Sequence, residues 1–221
     1  MQARKMKFRR KIFKILLYSI IIGLSTYFLG TFWLKNYSWK MISTEKEMIE
    51  NGIQIKNSPD LSDNFYNVYD KIKPFQRNIN MNQQLWGEII IPHNGKDCKC
   101  DDIGYLSLLN DNLKLEFKLD RLTKGKKYLN FGFGLEKYSN SKKCFDYWIN
   151  NSILFNGVYL NNLNELSEKI FNQEIKQLEN EEIIMLIAWH DMLKKGQKDI
   201  EIINKRFEIL KRVYERNKAS T

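Results

Sequence analysis

The chain has 221 residues and a formal net charge of +10, but its basic residues are unevenly distributed. Seven of the 36 Lys and Arg residues and none of the 26 Asp and Glu residues precede residue 15, so 29 basic residues face 26 acidic ones over 35–221. The remaining net charge of +3 is typical of an ordinary mixed surface, and we predict no nucleic-acid partner.

Residues 15–34 form an uncharged apolar stretch behind a basic segment at 1–14. About 20 apolar residues match one crossing of a bilayer, whereas the apolar region of a cleaved signal peptide is typically about 7 to 15 residues long. Because Lys and Arg stay in the cytoplasm, residues from 35 onward are expected outside it, with Trp33, Tyr37 and Trp39 at the interface. The sequence therefore predicts a single-pass membrane protein.

The segment 35–62 is predicted to be a polar stalk, because Asn-Gly and Ser-Pro pairs interrupt it. We expect the folded core to begin near Phe65, where Phe65, Val68, Ile72 and Phe75 form a rough helical stripe that Pro74 interrupts. The run "LWGEIIIP" at 85–92 is too short for its periodicity to separate a helix from a strand.

The C-terminal part of the chain predicts two helices of different character. The stretch "IIMLIAW" at 183–189 is apolar on all sides, which indicates a central buried helix, and Asn180 is positioned to cap it. After Gly196, one helical face carries the apolar residues Ile203, Phe207, Leu210 and Tyr214. The chain is therefore predicted to be mainly α.

Four segments share the order and spacing of one known family. They are "YSNSKKCFDYWINNSILFNGVYL", Ile170-Phe171, "QLENEEIIMLIAW" and "NKRFEILKRVYER". This part of the chain resembles the peptidoglycan glycosyltransferases of family 51, membrane-anchored enzymes that polymerise lipid II. The residues in step with the family motifs are Asn150, Asn156, Gly157, Tyr159 and Glu182. The resemblance implies a lysozyme-like helical domain over 63–221 behind one N-terminal transmembrane helix, in a bacterial inner membrane.

The resemblance also implies where the two catalytic glutamates of the family would lie. By register, His93 stands at or near the first position and Tyr128 at the second, and the donor-site segment "STITQQ" does not occur in the chain. A catalytically degenerate domain is therefore expected. It would take part in cell-wall biogenesis by holding lipid II, a glycan strand or another cell-wall synthesis protein, without a cofactor.

Two alternatives stay open. The first is an active, divergent glycosyltransferase, which could require a divalent metal. Its base would be His93 or one of the acids nearby, Glu88, Asp97, Asp101 or Asp102. The second is a structural membrane protein unrelated to the cell wall, in which case the resemblance is a coincidence of helical sequences.

The three cysteines allow more than one interpretation. Cys98 and Cys100 lie near His93, but these three ligands are one fewer than a structural zinc site needs, so no metal is predicted. An exported domain favours a disulfide, in which Cys144 pairs with either Cys98 or Cys100. His190 follows the apolar helix and is predicted to be a helix-end histidine rather than a ligand.

Overall fold

The computed structural model describes residues 2–90, 97–109, 124–151, 154–155, 158–160 and 162–219, and this part of the chain is mainly helical, as predicted. Its helices are α1 (Gln2–Asn36), α2 (Glu45–Lys56), α3 (Asp63–Ile72), α4 (Met81–Ile90), α5 (Lys99–Leu109), α6 (Lys124–Tyr138), α7 (Ser141–Asn151), α8 (Leu163–Phe171), α9 (Asn180–Leu193) and α10 (Ile200–Lys218). Two short antiparallel strands, β1 (Leu154–Phe155) and β2 (Val158–Tyr159), lie between α7 and α8. In the described residues, short 3₁₀ turns lie at Ser38–Met41, Gln76–Asn78 and Ile175–Gln177.

Helix α1 is long and apolar enough over Lys11–Asn36 to cross a membrane, which confirms the prediction of one such helix. Most of its apolar side chains are exposed, as lipid contact would require. Near its C-terminal end, however, Tyr27, Thr31 and Leu34 are partly buried. Because these residues recur at intervals of four and three, one face of the helix is covered by the rest of the chain.

The segment 35–62 is folded and does not form the predicted stalk. Trp39 lies in a 3₁₀ turn, Met48 and Ile55 lie on α2, and all three side chains are fully buried. A capping box starts α2, and the helix packs against α6 and α7. The core therefore begins well before Phe65. The prediction was wrong because a narrow apolar stripe can bury a helix whose other faces are polar.

Close packing explains why the Asn51-Gly52 pair lies inside α2 rather than in a turn. A Cβ atom on Gly52 would lie 2.5 Å from the Cβ atom of Tyr138 on α6. A Cβ atom on Gly134 of α6 would likewise lie 2.8 Å from the Met48 side chain. Glycines at both positions let the two helices approach each other closely, which the sequence pattern alone did not reveal.

Of the four apolar residues in the predicted stripe, three are buried, whereas Phe75 lies beyond the helix and is 81% exposed, so its prediction was wrong. Phe65, Val68 and Ile72 are buried on α3, and the helix ends at Ile72, two residues before Pro74. The ambiguous run at 85–92 is helical as far as Ile90, in α4.

The two C-terminal helices also follow their sequence pattern. The buried residues of α9 are Ile183, Ile184, Leu186, Ile187, Ala188, His190, Met192 and Leu193, and those of α10 are Ile203, Leu210 and Tyr214. Helix α9 is central because it packs against both α3 and α10. Its N-terminal cap is Glu179, and Asn180, predicted as the cap, is the first helical residue. Gly196, at φ +71°, ends the turn after α9 in a left-handed conformation that favours glycine.

Candidate functional site

Several residues of the predicted site lie outside the part that the structure describes. His93, Asn156 and Gly157 are outside it altogether. Tyr128 lies on α6 and Tyr159 on β2, but their side chains are not among those described. The suggested catalytic roles of His93 and Tyr128 therefore stay predictions.

Asn150, at the end of α7, connects three segments through backbone groups. It is 2% exposed, and its Oδ1 atom accepts a hydrogen bond from the Leu163 amide at 3.1 Å. Its Nδ2 atom donates to the Asp146 carbonyl at 2.9 Å and reaches the Pro59 carbonyl at 3.4 Å. The side chain thus links α7 to the start of α8 and to the segment before α3, satisfying backbone groups that burial would otherwise leave without partners.

Glu182 stabilises the start of α9. Its Oε2 atom accepts a hydrogen bond from the Glu179 amide at 2.9 Å, and the Glu179 side chain accepts one from the Glu182 amide in return. This reciprocal pair is a capping box, and it satisfies two amides that have no partner within the helix.

Among the acids named as alternatives to His93 whose side chains the structure describes, Asp101 has the environment best suited to acid–base chemistry. Its Oδ2 atom accepts from Gln84 Nε2 at 2.8 Å, while its Oδ1 atom is buried without a hydrogen-bond partner in the described part of the chain. Burial is the main cause that raises the pKa of Asp101 to about 6. The charges of Asp102 and Asp97 act in the same direction, while the hydrogen bond from Gln84 and the charge of Lys99 oppose them. A carboxyl group with a pKa near neutrality can both take up and release a proton.

The cysteines resolve into one disulfide and one thiol. Cys100 of α5 is bonded to Cys144 of α7, so the disulfide joins two neighbouring helices of the core. Cys98 is a buried free thiol, and burial raises its pKa far above the ordinary value. Ligand atoms of Cys98, Cys100 and Glu136 lie within 4.8 Å of one another. Because Cys100 is in the disulfide, only two metal ligands remain in that group, too few for a structural zinc site.

A cluster of charged side chains surrounds Trp148 on α7, and sequence reasoning did not identify it. Lys99 Nζ lies 4.5 Å and Lys194 Nζ 4.3 Å from the centroid of the Trp148 ring. Both nitrogens also approach one oxygen, Asp102 Oδ2, at 2.7 and 3.7 Å. Two ammonium groups therefore share one aromatic ring and one carboxylate, an arrangement stabilised by cation–π attraction and opposed by their mutual repulsion.

A second charged group lies beside the first. Lys73 Nζ donates to Asp191 Oδ1 at 2.6 Å, and Arg206 donates from Nη2 and Nε to Asp191 Oδ2 at 2.6 and 3.1 Å. Asp191 is only 11% exposed. Although burial raises its pKa, the charges of Lys73 and Arg206 prevail, and the pKa of Asp191 is held below its usual value.

His190 connects the two groups. Its ring packs edge-on against Trp148 at 5.1 Å, and the side chain is 3% exposed. Burial, together with the charges of Lys73, Lys194 and Lys99, lowers the pKa of His190 to about 3, although the charge of Asp191 opposes them. The histidine is therefore neutral at physiological pH. It lies in the last turn of α9, as predicted, and is a buried neighbour of the cations.

We call this set the cation cluster: Lys73, Lys99, Lys194 and Arg206 with Asp102, Asp191, Trp148 and His190. Its members come from α5, α7, α9 and α10 and from the residues that directly follow α3 and α9. The one local signal in the sequence is the polar series His190, Asp191 and Lys194 directly after an all-apolar helical run.

Comparisons with protein-family models, with curated proteins and with solved structures found no match to this chain.

Proposed function

We propose that this protein is a single-pass protein of a bacterial inner membrane whose extracytoplasmic domain, of the lysozyme-like glycosyltransferase type, binds a lipid-linked precursor of the cell wall without polymerising it. The resemblance over the second half of the chain supplies the class of ligand. His93 and Tyr128, at the positions of the two catalytic glutamates, support binding rather than catalysis.

The contact between α1 and the helical domain is the observation that carries this proposal. The Tyr27 ring lies 4.6 Å from the ring of Trp86 on α4, and Phe28, Phe32 and Asn82 line a groove between the two helices. Tyr27 precedes Leu34 by seven residues, or about 10 Å along a helix. If α1 crosses the bilayer, the contact between Tyr27 and the domain lies below the membrane surface. Lipid-linked molecules are the ligands presented at that position.

The disulfide supports the proposed orientation. Cys100 and Cys144 are both fully buried and bonded to each other within the domain. Disulfides form and persist in oxidising compartments and are rare in the cytoplasm. The disulfide therefore supports the proposed position of the domain on the outer side of the membrane, and the basic segment at 1–14 supports the same orientation.

In the direct test, the purified full-length protein is incubated with lipid II in detergent, and both lipid II binding and glycan product are measured. Saturable binding without product is the expected result. Glycan product that disappears in a His93→Ala variant would instead establish an active enzyme. If the protein neither binds lipid II nor forms product, the lipid-linked precursor is refuted as the ligand.

A second candidate function, a divergent active glycosyltransferase, is favoured by Asp101. Its carboxyl group combines a pKa of about 6 with a buried oxygen that has no hydrogen-bond partner in the described residues. In that case an Asp101→Asn variant would abolish glycan product while lipid II binding persisted. Unchanged product in this variant would remove Asp101 as the base.

A further inference from the structure

We infer that the cation cluster binds a phosphate-type dianion, such as a phosphate monoester or a pyrophosphate group, at Lys99 and Lys194 beside Trp148. This inference rests on the geometry of the cluster and is independent of the proposed function. The ligand could be soluble or could be the headgroup of a lipid, because both carry the same chemistry.

The balance of charge gives the first reason. The cluster holds the cations of Lys73, Lys99, Lys194 and Arg206 against the two carboxylates of Asp102 and Asp191. Each carboxylate already contacts two cations, and the neutral histidine adds no charge. This leaves two positive charges in excess among these groups, and the carboxyl group of Asp101, which also interacts with Lys99, offsets part of that excess. The remaining positive charge in a partly buried cluster favours a bound anion.

The free hydrogen-bonding capacity of the cluster gives the second reason. Lys194 Nζ lies 3.7 Å from Asp102 Oδ2, which is too far for a hydrogen bond, so this contact takes none of its three N–H donors. Trp148 is only 4% exposed, and its buried Nε1 donor has no hydrogen-bond partner in the described part of the chain. A buried indole N–H without a partner is uncommon in a folded protein and can donate a hydrogen bond to an anion.

The accessible edge of the cluster gives the third reason. The side chains of Lys194 and Arg206 are 35% and 30% exposed, whereas that of Lys99 is 9% exposed. Lys194 is therefore accessible to an anion from solvent, whereas Lys99 is largely buried near the same Trp148 ring. A site with one exposed and one buried ammonium group suits a compact oxyanion, because it removes part of the ligand from water and strengthens each charge-assisted hydrogen bond.

The experiment titrates sodium pyrophosphate into full-length protein in neutral detergent by calorimetry, at an ionic strength held constant with sodium chloride. We expect saturable binding to the wild type and at least about tenfold weaker binding to Lys194→Gln, because the variant loses one charged hydrogen-bond donor. The matched control is Lys205→Gln, which removes the same charge from an exposed ion pair with Glu201 on α10. Its affinity should stay within about twofold of the wild type.

Melting temperatures of the wild type and of each variant establish that the proteins are folded. Lys99→Gln removes the second ammonium group of the proposed site and should also weaken pyrophosphate binding. Absence of saturable pyrophosphate binding in the wild type would overturn the inference. Equal weakening by Lys194→Gln and Lys205→Gln would also overturn it, because binding would then depend on general charge.

A second arm identifies the source of the phosphate group. The same titration is made in phosphatidylcholine nanodiscs with and without phosphatidic acid, a lipid whose headgroup is a phosphate monoester. Weaker pyrophosphate binding in the presence of phosphatidic acid supports the site and assigns it to a lipid headgroup. Unchanged binding supports the site and assigns it to a soluble ligand.

Discussion

The disulfide between Cys100 and Cys144 allows a quantitative prediction about stability. The bond joins α5 to α7 across a sequence separation of 44 residues. Cross-linking a chain removes conformations from the unfolded state, and for a loop of this length the entropy model gives about 4 kcal/mol of stabilisation. We therefore expect the double variant Cys100→Ala/Cys144→Ala to lose about that much free energy of unfolding.

The assay is urea denaturation of the full-length protein in detergent, followed by circular dichroism with and without a reducing agent. Reduction should lower the midpoint of the wild type and leave that of the double variant unchanged. Cys98→Ala is the matched control, because Cys98 is equally buried and makes no disulfide. It should cost about 1 kcal/mol, as loss of a small buried side chain does.

Two results would refute the reasoning. One is a loss in the double variant no larger than that in Cys98→Ala. The other is a wild-type midpoint that does not respond to reduction under denaturing conditions. Either would show that the cross-link does not restrict the unfolded chain as the loop length requires.

Three further predictions concern buried polar groups. As the pH falls below 6.5, the unfolding free energy of the wild type should decrease, relative to that of His190→Gln, by up to about 1.4 kcal/mol per pH unit. The reason is that this histidine is protonated only in the unfolded chain until the pH nears its folded-state pKa of about 3. Asp191→Asn should cost about 3 to 5 kcal/mol at pH 7, since it leaves Lys73 in a largely buried position without its carboxylate. Asn150→Ala should cost about 2 kcal/mol, because the first amide of α8 loses its acceptor. All three are measured by urea denaturation.

Each of these predictions has a matched control. Identical pH slopes in the wild type and His190→Gln would contradict the first. Glu201→Gln breaks an exposed ion pair and should lower the free energy of unfolding by less than about 1 kcal/mol. A loss no larger than this in Asp191→Asn would contradict the second prediction. Asn151→Ala removes a bond within its own helix, and a loss as large as that of Asn150→Ala would contradict the third.

The patterns that predicted correctly are local ones. The uncharged stretch at 15–34, the all-apolar run at 183–189 and the spaced apolar residues from Ile203 to Tyr214 all form the helices expected of them. In each case the period of the apolar residues within one segment determines which face is buried. Pro74 and Gly196 likewise act through their own backbone restrictions, so their effects are visible in the sequence.

The prediction of a stalk failed because the structure of this segment depends on the helix that packs against it. The Asn51-Gly52 pair is a turn signal in an isolated segment, but Gly52 faces Tyr138, and a close helix contact there requires glycine. Likewise, the candidate site shares little with the residues predicted from the family motifs. Asn150 and Glu182 satisfy backbone groups, while the one local signal of the cation cluster is the polar series His190, Asp191 and Lys194.

The sequence by itself determined one membrane-length helix, a mainly helical domain and its most buried helices, because periodicity and charge along one segment are sufficient for these. Only the tertiary structure decided that Cys144 pairs with Cys100 rather than with Cys98. It also decided that Lys99 and Lys194 meet on the ring of Trp148. These groups lie on helices far apart in the chain, and their proximity depends on how the helices pack, which no single segment encodes.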